Sequence, residues 1–344
     1  MKILSRKREE NRAILEVEED ISHFETAVEK ALQEAGKEIK LPGFRPGKAP
    51  REMVERNVNR DFIEQRAAQD LIAELYPELV ETTKIEPVDY PKVEILKQEK
   101  DQPFVFKITV DVYPQIKLGK YKGLKVEKRS SAVTEDEVLK ALGNLQDRLS
   151  IVNAEGKKET LPLDDEFAKK VSRFGTLAEL KAEVREVLQK DKAAEVEAEM
   201  KNKLVAEVAN GSQAEIPPAM VEREIDIMLD ELRTSLAQSG LTVGDYLKGA
   251  KKEERNLRDE MRKAAEIRVK GKVVLKAVGL EEKIVVDEKD VQAEVKEIAA
   301  ASGKDVAEVE KNLGEGVRSY IGEYLLRRKA LDFILEKASI KVAA

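Results

Sequence analysis

Apolar residues recur along this chain with two periods, and the change of period divides it. Over residues 104–112 they fall on every second position. Phe104, Phe106, Ile108, Val110 and Val112 alternate with Val105, Lys107, Thr109 and Asp111. That is the signature of a strand with one buried face. Lys92–Leu96 is its expected hairpin partner, and Ala13–Glu18 reads as a further short strand. Between them the spacing becomes helical. Phe24, Val28, Ala31, Leu32 and Ala35 predict a helix over about 23–36, entered through a Ser22…Glu25 capping box. Residues 37–50 are a loop, punctuated by Pro42-Gly43 and Pro46-Gly47. Pro50 suits the first position of a second helix. Val54, Val58, Phe62, Leu71 and Leu75 carry that helix to about Thr82.

After residue 113 the pattern changes. Pro114–Val126 reads as an extended linker containing Gly119 and Gly123. Thr134…Glu137 is a second capping box, opening a helix with the stripe Val138, Leu142, Leu145 and Leu149. Ser150–Thr160 is a polar loop. From Leu161 the chain is nearly all helical, with expected segments at 164–174, 176–209, 218–238, 252–278, 288–301 and 316–338. Asn210-Gly211 and Gly279 are expected helix stops, and short loops favour antiparallel neighbours. The expected organisation is an α+β domain over 1–113, a linker strand, helix and short loop over 114–160, and a helical domain over 161–344.

Composition narrows the chemistry. The chain has 344 residues, 62 basic and 68 acidic, no cysteine and one histidine. No disulfide framework, thiolate nucleophile or cysteine-held metal can be built, and a histidine-rich site is excluded with them. No stretch approaches the ~18–20 apolar residues of a membrane span. The first residues lack the apolar core of a secretory signal. The expected location is the cytoplasm. His23 falls in the first turn of a helix and is no ligand. Asp164-Asp165-Glu166 reads as a helix start favoured by the dipole rather than a magnesium site. Gly314-Glu315-Gly316 lacks the third glycine of a dinucleotide loop. No cofactor is expected.

The most specific segment is Gly43-Phe44-Arg45-Pro46-Gly47-Lys48-Ala49-Pro50. Residues 37–60 hold seven basic and three acidic residues, net +4 in a chain of net −6. An aromatic ring flanked by cations on a stiff loop fits an interface anchor that meets phosphate or an acidic protein. The same residues also fit a solvated loop with Phe44 turned into its own core.

These residues resemble the signature loop of the trigger factors, a family of bacterial ribosome-associated chaperones. Further matches follow in family order: Lys120-Tyr121-Lys122-Gly123-Leu124, Asp165-Glu166-Phe167-Ala168-Lys169, Phe174-Gly175-Thr176-Leu177 and Ile216-Pro217-Pro218-Ala219. The resemblance implies an α+β N-terminal ribosome-binding domain followed by a mostly α-helical C-terminal chaperone domain with arm-like helices. It implies docking on the large subunit near the exit tunnel, on a ribosomal protein and rRNA, through Phe44, Arg45 and Lys48 with Gly43 and Gly47 shaping the loop. Pro46 stands where some relatives carry a lysine, so Lys48 supplies the following cation alone. The implied clients are nascent and unfolded polypeptides, held without ATP, and a weak homodimer through the client-holding surfaces is allowed. No membrane partner is implied.

One departure bears on activity. Trigger factors usually carry an FKBP-like prolyl isomerase domain after the linker helix. Here only residues 150–160 lie between Leu149 and Leu161, against the ~50 residues a domain needs. The expectation is therefore a chaperone and no enzyme. Its rivals are a prolyl isomerase-type folding enzyme, a free cytoplasmic holdase without ribosome docking, and a helical scaffold for one defined partner. The stripe Val221, Ile225, Met228, Leu229, Leu232, Leu236 and the ladder Leu257, Met261, Ala265, Val269, Val273, Ala277 fit ordinary core. A client cradle needs part of such surface exposed. Met220, Ile227 and Met228 are the candidates for client contact, methionine being adaptable in shape.

Overall fold

A computed structural model describes the chain except residues 40–43, 45–49, 100–101, 150, 153–157 and 343–344. In chain order the first elements are β1 (Lys2–Glu9), β2 (Arg12–Glu19), α1 (Ile21–Glu38), α2 (Arg51–Asn57), α3 (Arg60–Thr83), β3 (Lys92–Lys97), β4 (Phe104–Asp111) and β5 (Lys125–Lys128). Then come α4 (Glu135–Arg148), β6 (Ile151–Val152), β7 (Lys158–Glu159), α5 (Asp165–Val171), α6 (Leu177–Gly211) and α7 (Pro218–Gln238). The chain closes with α8 (Val243–Ala250), α9 (Glu254–Glu281), α10 (Glu288–Ser302), α11 (Val306–Asn312), α12 (Glu315–Lys337) and β8 (Ser339–Val342). The described residues group into two compact units, 1–117 with 214–273, and 118–213 with 274–344. No helix among them is long and apolar enough to cross a membrane.

The first unit is built on an antiparallel sheet of order β1-β2-β4-β3. The alternation read in the sequence is observed except at Val105, which is buried as well as its neighbours Phe104 and Phe106. Ala13, Leu15 and Val17 pair across from Val110, Ile108 and Phe106 and share the buried face. Helices α1 and α3 cover that face, with Phe24 stacked on Phe104 at 4.6 Å between ring centroids. β1 is a strand that the sequence reading passed over. Its tight turn to β2 holds Glu10 at φ 52, where Asn-Gly or Asp-Gly would have signalled the hairpin.

Around the loop, three helix boundaries differ from expectation. α1 is capped by Asp20, whose carboxylate accepts the Ser22 N–H, so Ser22 lies inside the helix. Pro50 is the residue before α2 rather than its first. The single helix expected to Thr82 is two, because Asn59 caps a new start by accepting from the Asp61 and Phe62 N–H groups. In the same unit α7 packs on the first part of α9 through Val221, Ile225, Leu229, Leu257 and Ala265.

The second unit centres on α6. Helices α4 and α5 rest there around Val138, Leu142, Phe167, Ala168 and Leu180. The capping boxes at Thr134 and Thr176 are present. β5 pairs in parallel with β8, a contact no local pattern announced. The Lys120–Leu124 motif sits at that junction. The Tyr121 hydroxyl donates to Glu282 at 2.5 Å, Lys122 pairs with Glu282 at 2.7 Å, and Gly123 turns the chain at φ 68. Gly279 does not stop α9. It lies within the helix, and a Cβ there would sit 2.8 Å from Leu326, so the glycine lets α12 approach. The helix runs on to Glu281, and Lys283 just beyond it takes the left-handed conformation.

Candidate docking site

The loop is fixed at both ends by the close approach of α1 and α2. Gly36, near the end of α1, leaves room for Val54 of α2, whose methyl would lie 3.3 Å from an added Cβ. Val54 is buried there with Leu32. Arg51, the first residue of α2, donates to Glu55 at 2.8 Å and to Glu29 of α1 at 3.3 Å, which ties the two helices across the loop. The Glu55 hydrogen bond raises the Arg51 guanidinium above its ordinary value.

Of the residues named for docking, Phe44 is described. Its side chain is 39% exposed and it is absent from the residues packed on the core of its unit. Gly43, Arg45, Gly47 and Lys48 lie outside the described residues. Among the described flanking cations, Arg51 and Arg60 are paired with glutamates. Lys37 and Arg56 have no partner among the described residues and leave their charge to solvent.

Beside the loop runs a groove of about 850 Å³. Its floor is apolar: Ile21, Phe24, Val28 and Leu32 at helical spacing on α1, with Val58 and Ile63 opposite. Its rim carries Glu25, Glu29, Glu55, Glu64 and Glu99 against Arg51 and Arg60. Sequence reasoning missed this groove because its walls come from three segments far apart in the chain.

The client candidates divide. Ile227 is 40% exposed and lines a shallow depression with Asp230, Glu231, Thr234 and Gln238. Met220 and Met228 are half-buried, and Met228 packs against the α7 core. None of the three lines the groove beside the loop. Other large side chains are more exposed than these. Tyr320 and Tyr324 stand out from α12, while Ile321 and Leu325, one residue further on, are buried. No cluster of metal-ligating side chains occurs among the described residues.

Two family models fit the chain. One, described as bacterial trigger factor protein, matches residues 1–145, and one described as its C-terminus matches residues 176–336. The trigger factor of Thermoanaerobacter pseudethanolicus is 30% identical over 427 positions, covering 99% of both chains. That of Desulforamulus reducens is 28% identical over 428 positions, covering 99% of this chain and 98% of the relative. Both alignments run to more positions than the 344 residues of this chain, so the relatives carry residues it lacks. A solved structure titled "Promiscuous Substrate Recognition in Folding and Assembly Activities of the Trigger Factor Chaperone" superposes with a TM-score of 0.56 over 98% of this chain and 100% of that one. At 19% identity that likeness concerns the fold.

Proposed function

The chain belongs to the trigger factor family, and on that premise we propose that it is a cytoplasmic, ribosome-associated chaperone that holds and shields nascent polypeptides without ATP. The observation that carries the reading is an exposed Phe44 on a loop pinned by α1 and α2, with the free cations Lys37 and Arg56 at its base. An exposed aromatic ring loses little by docking and gains an apolar pocket. Cations around it gain from rRNA phosphate. In this reading Phe44, Arg45 and Lys48 make the contact, and Gly43 and Gly47 let the loop turn.

Client holding is assigned to apolar side chains set between charged ones, with the exposed Ile227 and the half-buried Met220 and Met228 as contacts. Each such contact is weak, so clients leave without a nucleotide-driven step. Prolyl isomerase chemistry is not part of this function. The two family models leave only residues 146–175 between them, fewer than the ~50 of a domain.

The test is co-sedimentation with bacterial large subunits. The native chain is expected in the pellet, and Phe44→Ala/Arg45→Ala/Lys48→Ala in the supernatant. Equal pelleting of both at low salt, where screening is weakest, would reject the loop as the docking site. Absence of both from the pellet would favour a free holdase.

A further inference from the structure

The groove between α1 and the start of α3 has a chemistry opposite to that of the loop beside it. Its rim holds five glutamates and two arginines, net −3, whereas residues 37–50, none of which lines it, hold four basic residues and one acidic, net +3. The arginines are already spent: Arg51 on Glu29 and Glu55, and Arg60 on Glu64. Glu25 and Glu99 therefore face the groove with no cation among the described residues. Beneath them the apolar floor follows one face of α1 for three turns, from Ile21 to Leu32. A basic loop and an acidic groove on neighbouring surfaces cannot both face RNA, because phosphate attracts one and repels the other.

We propose that this groove holds a cationic segment of a ribosomal protein, with apolar side chains on the floor and lysine or arginine side chains against Glu25 and Glu99. The proposal rests on the ribosome-docking reading and adds to it a second contact of opposite sign. The groove starts where the loop ends, since Arg51 and Glu55 of α2 form its wall. A partner reached by the loop is therefore within reach of the groove. Fixed charges on both surfaces set the orientation of the docked domain, since the reversed placement brings like charges together. Clients are a poorer fit, because a holder of varied sequences gains nothing from a slot that selects charge. A second copy is poorer still, because it brings a net −6 chain to a negative rim.

The experiment uses the full chain and purified, salt-washed, empty large subunits, so no nascent chain competes. Glu25→Gln/Glu99→Gln alters two exposed side chains and leaves the core intact. It is expected to weaken ribosome affinity about fivefold, in the range for exposed charge pairs. Glu25→Lys/Glu99→Lys is expected to weaken it further. Suppression of aggregation of a denatured protein stays unchanged in both. A photo-crosslinking residue replacing Thr26, which lines the groove, is expected to capture a ribosomal protein at a lysine- or arginine-rich stretch. Unchanged affinity in both pairs overturns the proposal, as does capture of rRNA alone or of nothing. Capture seen only when nascent chains are present also overturns it and makes the groove a client site. If Phe44→Ala/Arg45→Ala/Lys48→Ala loses binding while the glutamate variants keep it, the groove proposal falls alone. If the loop variant also binds normally, the docking reading falls with it.

Discussion

Glu19 is 1% exposed at the end of β2, and it remains a carboxylate because its neighbours supply charge. It lies 2.7 Å from His23 Nδ1 and 3.1 Å from the Met1 ammonium. Burial pushes its pKa up. The hydrogen bonds from the Met1 ammonium, His23 and the Asp20 N–H together outweigh burial and hold it below the ordinary value of 4.5. A depressed carboxylate stabilises the fold fully above its unfolded value, and that stabilisation is lost as pH falls through the lower folded value. Acid unfolding of the native protein is therefore expected to steepen below pH 4.5, and Glu19→Gln to flatten it while costing about 1–3 kcal/mol at neutral pH by urea titration. Glycines make a second contrast. At Gly119 an added Cβ would lie 2.0 Å from the Gly211 carbonyl oxygen, and backbone cannot yield. At Gly279 the obstacle is the Leu326 side chain at 2.8 Å. Gly279→Ala gains about 1 kcal/mol of helix propensity against an overpacking cost of about 1–3 kcal/mol. It should lower thermal stability slightly and be rescued by Leu326→Ala. Gly119→Ala should be the worse of the two, with no rescue at Leu326.

Among the elements, α7 and the part of α9 in the first unit are joined by charge as much as by packing. Arg258 holds Asp226 at 2.7 Å and Glu222 at 2.9 Å, and Arg262 holds Glu222 at 2.5 Å. Arg268 reaches Glu231 at 2.9 Å and the buried Glu224 at 3.3 Å, and Lys272 also pairs with Glu224. Hydrogen bonds from Arg258 and Arg262 hold Glu222 below the ordinary carboxylate value, and Arg268 does the same for Glu231. Removing one partner of a buried pair strands the other. Here only Glu224 is buried, and the Arg268 and Lys272 side chains it would leave are 40% and 42% exposed, so Glu224→Ala is expected to cost about 1 kcal/mol, read as faster amide exchange across 218–238 and 254–273. Glu222→Ala, at the exposed end, should change exchange little. The stripes that place these helices were legible, because Val221, Ile225 and Leu229 repeat at helical spacing and are buried. So was the β2–β4 face. The break at Asn59, the short α8 and α11, and the β5–β8 pair were not. Val54, Val58 and Phe62 keep a helical spacing across the break, and Val58 packs at the break itself while Phe62 points to solvent. The strands β5 and β8 are only four residues each and meet from positions over two hundred residues apart. Proline and glycine mark the loop between α1 and α2 in the sequence, and of its residues 40–49 only Phe44 is among those described. The groove depends on tertiary contact and left no local trace.

For the whole molecule, the question is whether folding assistance here includes bond isomerisation. An isomerase must surround a prolyl ring with apolar, largely aromatic walls, because the twisted amide is less polar than the planar one and is favoured by a dry pocket. Three cavities lined by described residues of the first unit have one aromatic lining residue between them, Phe24, at the floor of a groove rimmed with glutamate. The exposed tyrosines of the second unit stand outward on α12. None of these three cavities and neither tyrosine supplies such walls. Holding requires only dispersed apolar side chains set among charges, and 130 charged residues in 344 keep such a surface hydrated between clients. The two activities therefore separate in one assay. A protein whose refolding waits on a trans-to-cis prolyl step should show the same slow phase, tens to hundreds of seconds at 25 °C, with and without this chain in excess. Its aggregation at higher concentration should fall as the chain is added, equally with and without ATP. A concentration-dependent shortening of the slow phase would place isomerase chemistry on this fold. Loss of protection on removing ATP would overturn release by weak contacts alone.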